Sequence, residues 1–553
     1  MNDSDPSSVR VRLWETNMAA PTEVTTEIFS PLTLPCGRTV ANRLVKVALY
    51  EHLASFPGGP PNSYHFGLYS EWAKHGWGMI ITGNVQVDKQ HLTLGRDIVI
   101  PRDLNAETLA PFKKLASVIH NGAEAKKDGS EGRNFGRTSV EVRPLAIMQL
   151  SHAGRQSPVL IGGRPLSIPP LAPSSVRVGS TLRTGAVKSN CRSASSPLAQ
   201  LTKERDTREE RSLTRADPTL RILFQTPREM TLDDVASVQR VFTTAALTAL
   251  KAGFDGVQLH CAHGYLLSQF LDLKTNLRRD DYSVTPPANA LRMLREIVDA
   301  IRALMPPDFV LGIKINSADN IQAGECHSDG RFQSEMKCVL DHVCLIADWG
   351  TVDFIEISGG DYESPDFMSV ETTTPRQAFF AHFSTIARER IRRQQLRHSG
   401  SMIPLILLTG GLRSPAQLQA ALDNGHADLL GIGRGSILCP DLPAILQRRG
   451  KGVDAMLDAE PFSRGPEDDS KLPFWFPKVR LVGASVDVSW YNIQMRRIAE
   501  SHLRRTPFDP SPMYNIGAIE TMLRMWIWLD WMHYLCLSGA ILAVICGIYV
   551  TGY

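Results

Sequence analysis

Residues 231–271 read TLDDVASVQRVFTTAALTALKAGFDGVQLHCAHGYLLSQFL. The first part predicts an amphipathic helix over 231–253, opened by the capping signature of Thr231 with Asp234. The run DGVQLH at 255–260 then reads as a buried strand. Seven other apolar runs match it: RLVKVAL (43–49), GMIITG (78–83), PLAIMQL (144–150), FVLGIKIN (309–316), DFIEIS (353–358), PLILLTG (404–410) and DLLGIG (428–433). Near-continuous apolar strands belong to a sheet covered on both faces, and such sheets are parallel. Amphipathic helices lie between several of them, as in ALRMLREIVDAIRALM at 290–305. Strand and helix alternating to eight strands predicts an α/β fold, a (β/α)8 TIM barrel. A doubly wound open sheet is the alternative, but no strand here leads into a GxGxxG turn.

The 553 residues, 43% hydrophobic and 21% charged, can bury a full core. A net charge of +3 is too small to imply a nucleic-acid partner. Nine cysteines stand scattered, with no CxxC pair, as expected of reduced thiols. The first 25 residues read as an extension without a secretory h-region, and 26–450 as the barrel. Residues 122–143 and 177–222 lack hydrophobic periodicity and read as surface loops or disorder. Residues 451–522 read as a tail and linker. From Tyr534 to Tyr553 no side chain is charged, and Trp526, Trp528, Trp531 and Tyr534 precede that run as an interfacial belt would. Residues 523–553 are therefore expected to form a single-pass membrane anchor, with the barrel facing the cytosol, for instance on the endoplasmic reticulum. The competing reading is an apolar helix closing the domain, which Asp530 and His533 would suit.

In a barrel the chemistry gathers at the C-terminal ends of the strands. Polar residues do fall there: Gly83 and Asn84, Gln149, His260 with His263 and Tyr265 beyond it, Lys314 and Asn316, and Ser358 with Gly359 and Gly360. After the last two strands come Thr409, Gly410 and Gly411, then Gly433 and Arg434. Bare backbone N–H groups beside an arginine make a phosphate cradle. His260 and His263 admit three readings. As zinc ligands they lack a third partner at any supporting spacing. As core residues both rings would need their nitrogens satisfied at one strand end. A catalytic or binding pair is the reading that needs neither.

Together with MQLSHAGRQSP (148–158), IITGNVQVD (80–88), IKINSADN (313–320), DFIEISGG (353–360) and LLTGG with ADLLGIGRG (407–435), the opening stretch resembles the Old Yellow Enzyme family of NADH:flavin oxidoreductases, in its fungal branch. The resemblance runs from about residue 29 to about residue 500 without the two inserts. It implies FMN at the top of the barrel, reduced by NADPH or NADH, and a small enone-type substrate. It places Ala48, Tyr50, Gly83 and Gln149 along the flavin, Lys314 beside its N1 and O2, and Gly410, Gly411, Gly433 and Arg434 around its phosphate. His260 and His263 match the pair that grips a substrate carbonyl, and Tyr265 the proton donor. The implied reaction reduces the activated C=C bond, with hydride from flavin N5 and a proton from Tyr265. Four places depart from the family pattern: Tyr50, where threonine or cysteine is usual; Asp272-Leu273; Ser283-Val284; and Gly435. They are what a specialised substrate, a flavin-dependent oxidase or dehydrogenase of a biosynthetic pathway, or a membrane-tethered binding protein that has lost turnover would leave.

Overall fold

The computed structural model describes residues 27–122, 143–180, 218–317, 330–360, 374–395, 403–449, 480–508 and 518–526. Every predicted strand forms: β1 (Leu44–Lys46), β2 (Met79–Gln86), β3 (Leu145–Ser151), β4 (Gly256–Cys261), β5 (Val310–Asn316), β6 (Phe354–Ser358), β7 (Leu405–Thr409) and β8 (Leu429–Ile432). Each pairs in parallel with its neighbour, and β8 returns to β1 through Leu430 opposite Leu44, so the sheet closes. It is a barrel and not an open sheet. The first strand is shorter than its apolar run, so Ala48 and Tyr50 lie beyond it, on the segment leaving the barrel.

Strand periodicity sorts the side chains. Val45, Met79, Ile81, Leu145, Ile147, Val310, Phe354, Leu407 and Leu429 turn inward and fill the lower barrel. The hairpin of Leu32–Thr33 and Thr39–Val40 caps that layer with Leu34 and Val40. Alternate residues, such as Ile80, Met148, Leu259, Ile313, Ile355 and Leu408, turn outward into the larger core against the helices. These include α1 (Ser63–Ala73), α2 (Ala106–Asn121), α3 (Leu232–Ala252), α4 (Leu266–Leu271) and α5 (Arg292–Leu304). The expected cap of α3 is present: the Thr231 hydroxyl accepts from the Asp234 N–H at 3.1 Å, and Asp234 accepts from the Thr231 N–H at 2.8 Å. Gly253, at φ 87°, ends that helix in the left-handed region.

An aspartate precedes β4, β6 and β8, and each clasps the start of a neighbouring strand. Asp255 accepts from the Ala146 N–H at 2.8 Å, Asp353 from the Leu311 N–H at 2.7 Å and Asp428 from the Ile406 N–H at 2.9 Å. Arg38, Arg302 and Arg388 pair with them in the same order. These clasps lie at the N-terminal end of the barrel, which leaves the other end for chemistry.

Of the two predicted inserts, residues 123–142 and 181–217 lie outside the described residues, while Pro218–Leu223 is a short helix. Within the stretch read as tail and linker, α6 (Arg480–Arg504) packs along α1, and α7 (Ala518–Trp526) packs on α6. Met525, buried, accepts a hydrogen bond on its sulfur from Ser489. Among the described residues no helix is long and apolar enough to cross a membrane, and 527–553, the greater part of the expected anchor, lie outside them.

Candidate active site

Above the apolar layer the inward positions turn polar. Gln258 and His260 on β4, Lys314 and Asn316 on β5, Glu356 and Ser358 on β6, Gln149 on β3 and Thr409 on β7 all follow the inward parity. Strand register places Lys314 beside His260 on one side and beside Glu356 on the other. The predicted set is thus drawn from many strands to one end.

His260 is buried, and burial, aided by the charge of Lys314, holds its pKa well below the usual imidazole range. It is therefore neutral at pH 7. Its Nδ1 accepts from the Ala262 N–H at 3.4 Å, which puts the remaining proton on Nε2 as a donor. His263 comes to within 5.0 Å of the His260 ring, edge on, and Tyr265 to 4.7 Å. The chain reaches this arrangement by two successive left-handed residues, His263 at φ 57° and Gly264 at φ 72°. For a histidine that conformation costs roughly 1 kcal/mol, and it is held by its neighbours. Asn316 Oδ1 accepts from the His263 N–H at 3.0 Å, Gln156 donates to its carbonyl at 2.8 Å, and Ser358 Oγ lies 2.8 Å from its Nε2. Asn84 donates to the Tyr265 hydroxyl at 3.4 Å.

Gln149 donates from Nε2 to Asn84 at 2.6 Å, while its Oε1 is buried without a partner. An orphaned acceptor at this level is a place for a ligand N–H. Lys314 contacts Glu356 at 3.0 Å. Gly83, expected along the flavin, is required by the protein itself. Its N–H donates to Glu51 at 3.0 Å and to the Tyr69 hydroxyl at 2.8 Å, and a Cβ would sit 2.0 Å from Glu51 Oε2. Glu51 and Tyr69 share a short hydrogen bond, and burial pushes both pKa values up. Sequence reading missed this pair. Tyr50, expected against the flavin, donates its hydroxyl to Asp97 at 3.4 Å.

At the other side, Gly410 and Gly411 take φ 109° and 75°, turning the chain sharply after β7. Gly433 is open: a Cβ there would meet nothing nearer than 3.7 Å. Arg434 stands 5.7 Å over the ring of Tyr491, which comes from α6. Arg413 is close enough to Arg434 that, after burial, the second guanidinium is the main influence lowering its pKa. Neither Arg413 nor Tyr491 was found from the sequence. Two arginines brought together beside a glycine turn fit a phosphate, and with the orphaned Gln149 carbonyl they fit FMN.

One further group has metal-ligand spacing among the described residues: Asp88, His91 and His152. Its hydrogen bonds speak against a metal. His91 Nε2 accepts from the Leu171 N–H at 3.0 Å and His152 Nδ1 from the Gly154 N–H at 3.1 Å. The nitrogens facing Asp88 must then carry the protons, as the 2.7 Å contact of His91 Nδ1 with Asp88 requires. The group ties together the loops after β2 and β3.

The NADH:flavin oxidoreductase / NADH oxidase family model matches residues 193–451. The NADH-dependent flavin oxidoreductase iccE of Talaromyces variabilis is 32% identical over 485 residues, covering 85% of this chain and 97% of that protein. The iliE enzyme of the same description from Neonectria sp. (strain DH2) is 31% identical over 518 residues, or 89% of this chain, which spans 56% of that longer protein. The structure of the old yellow enzyme homologue from Zymomonas mobilis superposes with a TM-score of 0.51 at 20% identity, over 76% of this chain and 93% of that one, a likeness of fold. On the sequence relatives, the chain belongs to the Old Yellow Enzyme family of NADH:flavin oxidoreductases and is an oxidoreductase that uses FMN and NAD(P)H.

Proposed function

We propose that this enzyme reduces the activated C=C bond of an α,β-unsaturated carbonyl compound. The observation that carries the reading is the neutral His260, its Nε2–H free of the backbone bond at Nδ1, within 5.0 Å of His263 and 4.7 Å of Tyr265. Bound FMN supplies hydride transfer from NAD(P)H to the substrate. The chain's own residues do the rest. His260 donates to the carbonyl oxygen and stabilises the negative charge that grows there, as an oxyanion hole does. His263, fixed by Asn316 and Gln156, flanks it. Tyr265, buried at the start of α4, protonates the α-carbon. Gln149, Arg413 and Arg434 hold the cofactor by its ring edge and phosphate.

The test is anaerobic NAD(P)H-dependent reduction of 2-cyclohexen-1-one. His260→Ala should lower kcat/KM by about 10² to 10³-fold. Tyr265→Phe should lower kcat by about 10² to 10⁴-fold while leaving flavin reduction by NAD(P)H in place. An enzyme whose flavin NAD(P)H bleaches, but which passes its electrons to oxygen and to no enone in a substrate panel, would overturn the reading in favour of an oxidase. The uncharged run 534–553 supports a second proposal, that the enzyme is held at a membrane with its barrel in the cytosol. Loss of vesicle flotation on removing 527–553 tests it.

A further inference from the structure

Glu356 is a carboxylate in the middle of the apolar run DFIEIS, fully buried inside the barrel. Three side chains from three strands hold it. Lys314 Nζ lies 3.0 Å from Oε1, Thr409 donates to the same oxygen at 2.8 Å, and Gln258 donates to Oε2 at 2.7 Å. With Glu356 itself on β6, the cluster bridges β4 to β7. Along their own strands Gln258, Lys314 and Glu356 each stand one inward position before His260, Asn316 and Ser358, and across the strands Lys314 is in register with both His260 and Glu356. A buried carboxylate this well supplied with donors is built in, since an unpaired one would be strongly destabilising. Its partner, Lys314, is the cation that the resemblance puts beside the flavin's N1 and O2.

We infer that Glu356 is a positioning and charge-setting residue for the cofactor: it fixes the Lys314 ammonium and offsets part of its charge, holding down the preference of the site for reduced over oxidised FMN. This rests on the FMN reading of the site. A lone ammonium at that edge favours the anionic reduced flavin, and a carboxylate 3.0 Å behind it opposes that pull. Gln258 and Thr409 hold the carboxylate where it does so. A merely structural carboxylate would anchor the strands and leave the cofactor's redox balance alone.

The experiment uses the full chain loaded with FMN and titrated anaerobically against a reference dye. Glu356→Gln keeps shape and removes charge. It is expected to raise the ratio of oxidised-FMN to reduced-FMN dissociation constants at least tenfold, read as an upward shift of the two-electron potential by about 30 mV per tenfold. Glu356→Asp withdraws the carboxylate by one methylene and should shift the ratio in the same direction by less, which covers the case in which the glutamine variant does not fold. In a Lys314→Met background, Glu356→Gln should change the ratio in the same direction but by clearly less, because the part of the effect that comes from fixing the ammonium is gone and only the direct charge effect remains. A glutamine variant that binds FMN with an unchanged ratio, or an equal shift without Lys314, overturns the inference and leaves the FMN reading intact. A wild-type protein that binds no FMN overturns both.

Discussion

Two glycines assigned to the cofactor by resemblance, Gly83 to its ring and Gly433 to its phosphate, meet different surroundings, and they make opposite predictions. A Cβ on Gly83 would lie 2.0 Å from Glu51 Oε2 and 2.2 Å from the Leu49 carbonyl. One of those atoms is backbone, so the segment after β1 would have to move. Gly83→Ala should cost about 1 to 3 kcal/mol, seen as a lowered Tm of the protein without added FMN. Gly433 has its nearest neighbour at 3.7 Å, so Gly433→Ala should leave that Tm within a degree or two. If it nonetheless weakens FMN binding, the close approach at Gly433 is to the phosphate and not to protein. The sequence showed that glycine stood at both positions but not why, because Glu51 and Tyr69 are distant from Gly83 along the chain. Glu356 was more legible: a lone charge at an inward position of an apolar strand is an anomaly visible in DFIEIS itself.

Strands were the most legible elements, because burial on both faces leaves an unbroken apolar run of fitting length. The clasps Asp255, Asp353 and Asp428 were visible too, as the D opening DGVQLH, DFIEIS and DLLGIG, although their partners appear only once the barrel closes. Helix α6 was hidden for the opposite reason. It packs against α1 on one side and α7 on another, so buried Trp490, Tyr491, Ile493, Met495 and Ile498 do not trace a single stripe. Tyr491 ties this helix to Arg434, and the α6–α7 pair is therefore part of the enzyme body. Truncation should show it. Ending the chain after Trp526 preserves the Ser489–Met525 contact and the bond from Arg496 to the Arg524 carbonyl at 2.8 Å. Ending it before Ala518 removes both and bares the face of α6. The first form should keep full Tm and FMN uptake; the second should lose several degrees of Tm. Equal melting of the two would show that α7 adds nothing to the fold.

Stability of the chain should fall on the acid side, and the cause is the same one that makes His260 a useful donor. Among the described residues, five deeply buried histidines are held neutral by burial: His52 and His65 with pKa values lowered to about 3, His342 to about 4, and His152 and His260 well below the usual range. In the unfolded chain each would titrate near 6.5. Because the folded pKa is depressed, the unfolded state takes up more protons between those values. The stability that these histidines contribute is intact above pH 6.5 and is lost progressively toward pH 4 and below, at roughly 1.4 kcal/mol per pH unit for each histidine. Two buried carboxyls act the other way. Burial raises the pKa values of Glu51 and Asp97, so their protonation favours the folded state as pH falls. Five groups against two leave a net loss on acidification. The urea midpoint should therefore be clearly lower at pH 5.5 than at pH 7.5. The pH profile of kcat/KM for enone reduction should meanwhile show no acid limb near 6.5, since His260 does not titrate there in the folded enzyme. A midpoint that holds or rises toward pH 5.5, together with an acid limb near 6.5, would mean that the histidines charge in place. The carbonyl clamp would then be an imidazolium and not the neutral donor that the Ala262 contact implies.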